Sequence, residues 1–186
     1  MKNLKKPVIA CILSAIIVLS STFISADIKL SRASDKVTEG FYRGVEFGGY
    51  KRKSVSSQLE NICGAVSGLM TIAKNQGLDT AGISSLNAEL SSCLSAKSYD
   101  ISSVYSSYSS LRSSLEPLLD TLSAADLSKR DEKGAKDYMV TIMGAEKVIE
   151  ESGYNESVQD FIDSMSVFPT DFFFSVTGTA LPEKFE

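Results

Sequence analysis

Nineteen consecutive residues, Val8–Ala26 (VIACILSAIIVLSSTFISA), carry no charge, and they come directly after Met1-Lys2-Asn3-Leu4-Lys5-Lys6-Pro7. Wound as a helix they extend about 28 Å, close to the ~30 Å hydrocarbon thickness of a bilayer. In lipid the backbone must satisfy its own hydrogen bonds, so a lone apolar run can cross only as a helix. The rest of the chain then reads as a domain held at a membrane or sent across it. Two readings of the run fit. A secretory signal peptide needs a basic start, an apolar core of about 7–15 residues and small residues before the cleavage point. The basic start is present, but the run is longer than such a core, and Ile24 spoils the small-residue pattern ahead of Asp27. An uncleaved anchor over residues 8–26, behind a basic N-terminus over 1–7, fits better.

Orientation is set by the lysines and arginines near the two ends of the run. Lys2, Lys5 and Lys6 precede it with no acid among them, while Lys29, Arg32, Lys36 and Arg43 lie behind it. Giving weight to the first cluster puts the N-terminus inside and the domain outside, as a single-pass protein of the plasma membrane.

Composition removes several functions. A net charge of −4 and no concentrated basic face argue against a nucleic-acid partner. The chain has no histidine, hence no imidazole general base, no His-based metal site and no Ser-His or Cys-His triad.

Along the chain, residues 27–40 read as a polar juxtamembrane linker, and Gly40, Gly44, Gly48 and Gly49 suit either a hinge or a helix under close approach. From Val55, the positions Val55, Leu59, Ile62, Val66, Leu69 and Ala73 make an amphipathic helical stripe that stops near Gly77. A second stripe runs Ile83, Leu86, Leu90, Leu94, Ile101, Val104, Tyr108, Leu111, Leu115, Leu118 and Leu122, broken only at Lys97. It predicts one long helix or two nearly collinear ones, with Pro117 as a kink or restart. Its other face is dominated by serine from Ser84 to Ser114. Residues 123–136 read as a charged connector. Tyr138, Ile142, Ala145 and Ile149 open a third stripe, continued by Tyr154, Val158, Phe161, Met165 and Phe168 with a change of phase at Gly153. The expectation is an all-α protein: an N-terminal transmembrane helix, then an elongated antiparallel, coiled-coil-like bundle of three to four helices over 41–168. An aromatic and polar C-terminal tail over 169–186 completes it.

Tyr154-Asn155-Glu156-Ser157-Val158, then Phe168-Pro169-Thr170, Gly178 and a closing Pro182-Glu183-Lys184-Phe185-Glu186 resemble the C-terminal portion of LemA proteins. The motif residues are Tyr154, Asn155, Val158, Phe168, Pro169, Gly178 and Phe185. The match covers Tyr154 to Glu186; upstream, only the layout of a membrane helix leading into a helical region is shared. The chain departs from the family in Glu150-Glu151, which stand where an arginine-rich approach is usual, and in a serine- and glycine-rich first bundle helix. The basic N-terminus also differs from the family's usual predicted placement. The resemblance implies a membrane-anchored helical bundle and supplies no reaction.

Cys63 and Cys93 lie equally far from the turn of the first hairpin, so an exported domain could join them in a disulfide; the alternative is two packed thiols. Glu146 and Glu150 are one helical turn apart, yet a helical di-iron site needs Glu-x-x-His, so they read as a solvated acidic face. Neither Lys97 nor Lys133 stands at a Ser–Lys catalytic spacing. No catalytic, metal or cofactor-binding residue is expected. Phe172-Phe173-Phe174 is expected to fold onto the bundle, with an interfacial position in a bilayer as the alternative. The expected partners are the lipid bilayer through residues 8–26 and a protein docked on the serine-rich face. The functional expectation is a non-enzymatic envelope interaction or scaffold module. The alternative is a sensory or ligand-binding domain of an envelope stress-signalling system.

Overall fold

The computed structural model describes residues 5–47, 49–96, 100–167 and 170–186, without the side chains of 5–13, 15 and 47. The helices are α1 (Lys5–Arg43), α2 (Val55–Asn75), α3 (Ala81–Ala96), α4 (Ile101–Ala124), α5 (Lys129–Glu150), α6 (Tyr154–Met165) and α7 (Thr170–Thr177). Between α1 and α2, β1 (Glu46–Phe47) and β2 (Tyr50–Lys51) pair antiparallel, with Glu46 opposite Lys51 and Phe47 opposite Tyr50. The chain forms two units: Thr38–Val158 with Glu183–Glu186, and Met1–Val37 with Gln159–Pro182.

The larger unit is a four-helix bundle, α2 to α5, in which α2 packs on α5 and α3, and α3 packs on α4. Short turns between successive helices impose antiparallel neighbours. The stripes bury as their spacing requires: Leu59, Val66, Leu69, Leu90, Ile101, Val104 and Leu111 are each 0% exposed. Local signals set the helix starts. Ser54 accepts from the Ser57 amide, Asp100 from Ser103 and Ser128 from Asp131, each satisfying a first-turn amide that would otherwise lack a partner. Gly68 of α2 makes room for Tyr138 of α5, because a Cβ there would run into the Tyr138 ring.

Several expectations need correcting, among them the connector over 123–136, whose residues 129–136 form the first turns of α5 behind the Ser128 cap. The second stripe is neither one helix nor two collinear ones: α3 and α4 fold back on each other. The reason is the Asp100 cap, which starts a new helix three residues past the polar break at Lys97; residues 97–99 lie outside the described ones. The glycine-rich stretch after Phe41 is a β-ribbon and not a helix. Gly44 starts it at φ +81°, and a Cβ there would meet the Arg52 carbonyl, so only glycine fits. Residues 27–40 are helical and continue α1, with Leu30, Ser34 and Thr38 buried along one side and Phe41 a turn further on. Pro117 does not end α4. Both it and Ser113, whose carbonyl loses the proline's missing donor, are exposed or half-exposed.

In the smaller unit, α7 lies against α1. Phe23 meets Phe173 at 5.5 Å and Phe172 at 6.1 Å between ring centroids. Thr179 Oγ1 reaches Asp27 at 3.5 Å, and Ser34 Oγ donates to the Ala180 carbonyl at 2.8 Å. Among the described residues no helix is long and apolar enough to cross a membrane. The side chains of Val8–Leu13 and Ala15, which make up much of the expected anchor, lie outside those residues.

Candidate functional site

The motif residues Tyr154, Asn155 and Phe185 converge at the C-terminal end of the chain in the larger unit. Gly153, at φ +74°, separates α5 from α6 and sets Tyr154 and Asn155 in the first turn of α6. Tyr154 is 1% exposed and donates its hydroxyl to the Glu183 carbonyl at 2.7 Å. Asn155 grips the Phe185 backbone at both polar atoms: its Nδ2 donates to the carbonyl at 3.1 Å, and its Oδ1 accepts from the amide at 2.8 Å. Asparagine carries a donor and an acceptor side by side, so it can pair with one residue's backbone as a second strand would. Glu183 Oε2 accepts from the Ser102 amide at 3.0 Å, at the open N-terminus of α4, where negative charge is favoured.

Phe185 enters an aromatic cage. Its ring centroid lies 5.6 Å from Phe41, 5.2 Å from Tyr105 and 5.8 Å from Tyr108. Phe41 also stacks edge-on against Tyr154 at 5.5 Å, so the end of α1, the start of α6 and the C-terminal residues share one apolar cluster. Arg52, just after β2, closes the side by donating to the Glu151 carbonyl.

Beside this clasp a cleft of about 460 Å³ opens between α4, α5 and the first turn of α6. Tyr105, Tyr108 and Phe185 supply its aromatic wall; Glu146, Glu150, Glu156 and Glu186 line it, with no lysine or arginine in the lining. Glu146 is not a free acid. It accepts from the Tyr108 hydroxyl at 2.9 Å and from Arg112 Nε at 2.7 Å, bridging α4 to α5. Burial, and then the charge and hydrogen bond of Glu146, push the Tyr108 hydroxyl well above the ordinary phenol range. Burial, then Glu183 and Tyr42, raises Tyr154 in the same direction. Both tyrosines are therefore neutral hydrogen-bond donors under ordinary conditions. Ser152 also lines the cleft, and its hydroxyl oxygen accepts from the Tyr154 amide at 3.3 Å.

Other sequence candidates fall elsewhere. Val158 is fully buried one turn beyond the clasp. Gly178 sits at φ +67° after α7, and Phe168 and Pro169 lie outside the described residues. Cys63 and Cys93 are both free thiols. Cys93 faces α4, with its sulfur 4.0 Å from Ser107 Oγ, while Cys63 is buried on α2. Equal height in the hairpin is thus not enough to join them. Burial and then Glu60 push the Cys63 thiol up to about 11. The described residues contain no group of three or more metal-ligating side chains. The serine face is largely exposed along α4, apart from Ser107, which is buried and donates to Glu89 at 3.2 Å.

No family model, curated protein or solved structure matches the chain. Sequence reading missed Phe41, Tyr105 and Arg52, which complete the clasp. The aromatic pair Phe41-Tyr42 among glycines is visible in the sequence, but nothing in its spacing links it to a segment more than a hundred residues away.

Proposed function

We propose that this chain is a non-catalytic, membrane-anchored helical-bundle protein, resembling LemA proteins, that works as an interaction or scaffold module of the cell envelope. Residues 8–26 are its membrane anchor. The observation that carries the reading is the apolar flank of α1: Ile16, Ile17, Val18, Leu19 and Ile24 are between 52% and 67% exposed and continue the uncharged run. A surface helix apolar on all sides belongs in a core or a membrane. The bundle supports the second half of the reading. Its stripes are buried, its clasp fixes the C-terminal residues, and the neutral serine face of α4 is open and weakly hydrated enough for a partner helix to desolvate.

The cleft beside the clasp favours a second reading, a ligand-sensing domain, because a concave site with aromatic walls and several carboxylates suits a small cationic ligand. Two measurements separate the readings. Photo-cross-linkers placed at Ser109 and Ser113 in the full chain in cells should give discrete protein adducts if the module is a scaffold. No adduct from either site, together with a raised melting temperature when small organic amines are added to the purified protein, would transfer the role to the cleft.

A further inference from the structure

The aromatic run near the C-terminus belongs to the smaller unit, and its surroundings there point to lipid. From Phe172 to Pro182 the chain carries no charge, with Asp171 and Glu183 bounding the stretch. Within the smaller unit this segment runs beside α1 in the same direction. Phe172 and Phe173 meet Phe23, Thr179 meets Asp27, and Ala180 meets Ser34. Phe23 lies four residues before Asp27, the first charge after the run, which is about 6 Å along a helix axis. The two aromatic contacts therefore sit just inside the uncharged run, and the two polar bonds sit at its charged margin.

Beyond these contacts the segment leaves apolar surface open. Phe172 (51%) and Val176 (56%), one helical turn apart, are exposed, Leu181 is 45% exposed, and α7 has no buried residue. On α1, Ile24 and Ile28 are exposed at the same level of the helix. A patch made by two segments and continuous with the anchor's surface is met by whatever medium meets the anchor. Phenylalanine rings beside a polar edge suit the boundary between headgroups and acyl chains, where interfacial helices bury about 5–10 Å deep.

We propose that residues 172–182 are a second membrane contact, an interfacial foot whose Phe172 and Val176 enter the outer acyl layer beside the anchor while Thr179 and Ala180 stay at headgroup level. The proposal rests on the anchor reading and adds to it a site and a depth. Its consequence is that the chain grips the bilayer at two sequence-distant places.

The chain has no tryptophan, so F172W supplies a single fluorophore. The full-length variant is reconstituted into phosphatidylcholine–phosphatidylglycerol vesicles carrying lipids brominated near the top or near the end of the acyl chain. Flotation is measured on the same samples. The expected result is co-flotation, a blue-shifted emission, and quenching about twofold stronger by the shallow bromines than by the deep ones. V176W, on the same side one turn later, should behave alike and covers the case in which F172W does not fold. Co-flotation with both variants unquenched overturns the foot and leaves the anchor standing; if the fluorophores are then also shielded from iodide, a protein surface covers α7. Stronger quenching by the deep bromines overturns the interfacial position. Failure to float overturns the anchor and the foot together.

Discussion

The two units treat their apolar residues in opposite ways. In the larger one, Leu59, Val66, Leu90 and Leu111 recur at helical spacing and are completely buried, and serines and charges take the other faces. In the smaller one, Ile17 (67%), Val18 (63%) and Phe172 (51%) lie open, and the uncharged stretches around them have no charged face to turn outward. A stripe can be hidden by a neighbouring helix, whereas a helix apolar all round needs an apolar medium. On the proposed reading, water surrounds one unit and lipid meets the other.

The sharpest way to break that contrast is a matched pair of truncations. Leu111→Ala should lower the stability of the bundle by about 2–5 kcal/mol, measured by urea unfolding of the full chain. Ile17→Ala should leave it within about 0.5 kcal/mol. Equal losses would mean that the α1 flank is packed in a protein core after all. Next in size is the clasp. Asn155→Ala removes both bonds to the Phe185 backbone and should cost about 1–3 kcal/mol, with faster proteolytic trimming of the C-terminal residues as an independent readout. Gly68→Ala should cost about 1–3 kcal/mol, because the Tyr138 ring must move. By contrast, Gly64→Ala, with no atom within 4 Å of its added Cβ, should be neutral or stabilising.

The smallest effect at neutral pH concerns titration. Cys63, Tyr108 and Tyr154 are weak acids whose folded forms hold their protons more tightly than the unfolded chain does. Their contribution is complete below the unfolded values, 9.0 for the thiol and 10.0 for the phenols, and is lost as pH rises above them towards the raised folded values. Urea midpoints of the bundle should therefore hold steady through neutrality and fall on the alkaline side. Y108F should soften that fall, since phenylalanine has nothing to ionise.

Much of the bundle is legible because helix stripes depend on local spacing, which a sequence displays directly. The positions Val55 to Ala73 and Ile101 to Leu122 go inside as their periodicity requires. The α3–α4 reversal is hidden because a nearly unbroken stripe continues through it; the discriminating signal is the Asp100-x-x-Ser103 cap, which outweighs phase continuity. The ribbon after Phe41 is hard to read because its only marks are glycines, and Gly44 is demanded by the Arg52 carbonyl, a contact no local pattern encodes. At the candidate site, Tyr154, Asn155 and Phe185 stand out in the sequence only as parts of a motif, and their roles are not readable there. That Asn155 binds the backbone of Phe185 is a contact across thirty residues, set by the folded bundle. Cys63 and Cys93 show the converse: similar heights are readable, while the direction of each thiol is not.

The most direct test of the account is flotation of the full chain with lipid vesicles through a density gradient after an alkaline carbonate wash. The wash strips peripheral proteins and, by favouring ionisation of the buried tyrosines and Cys63, also loosens the bundle. The account predicts that the protein still floats with the vesicles, because the uncharged run and not the bundle holds it there. Protein left at the bottom of the gradient would contradict it. The exposed flank of α1 would then have to be a protein-binding surface.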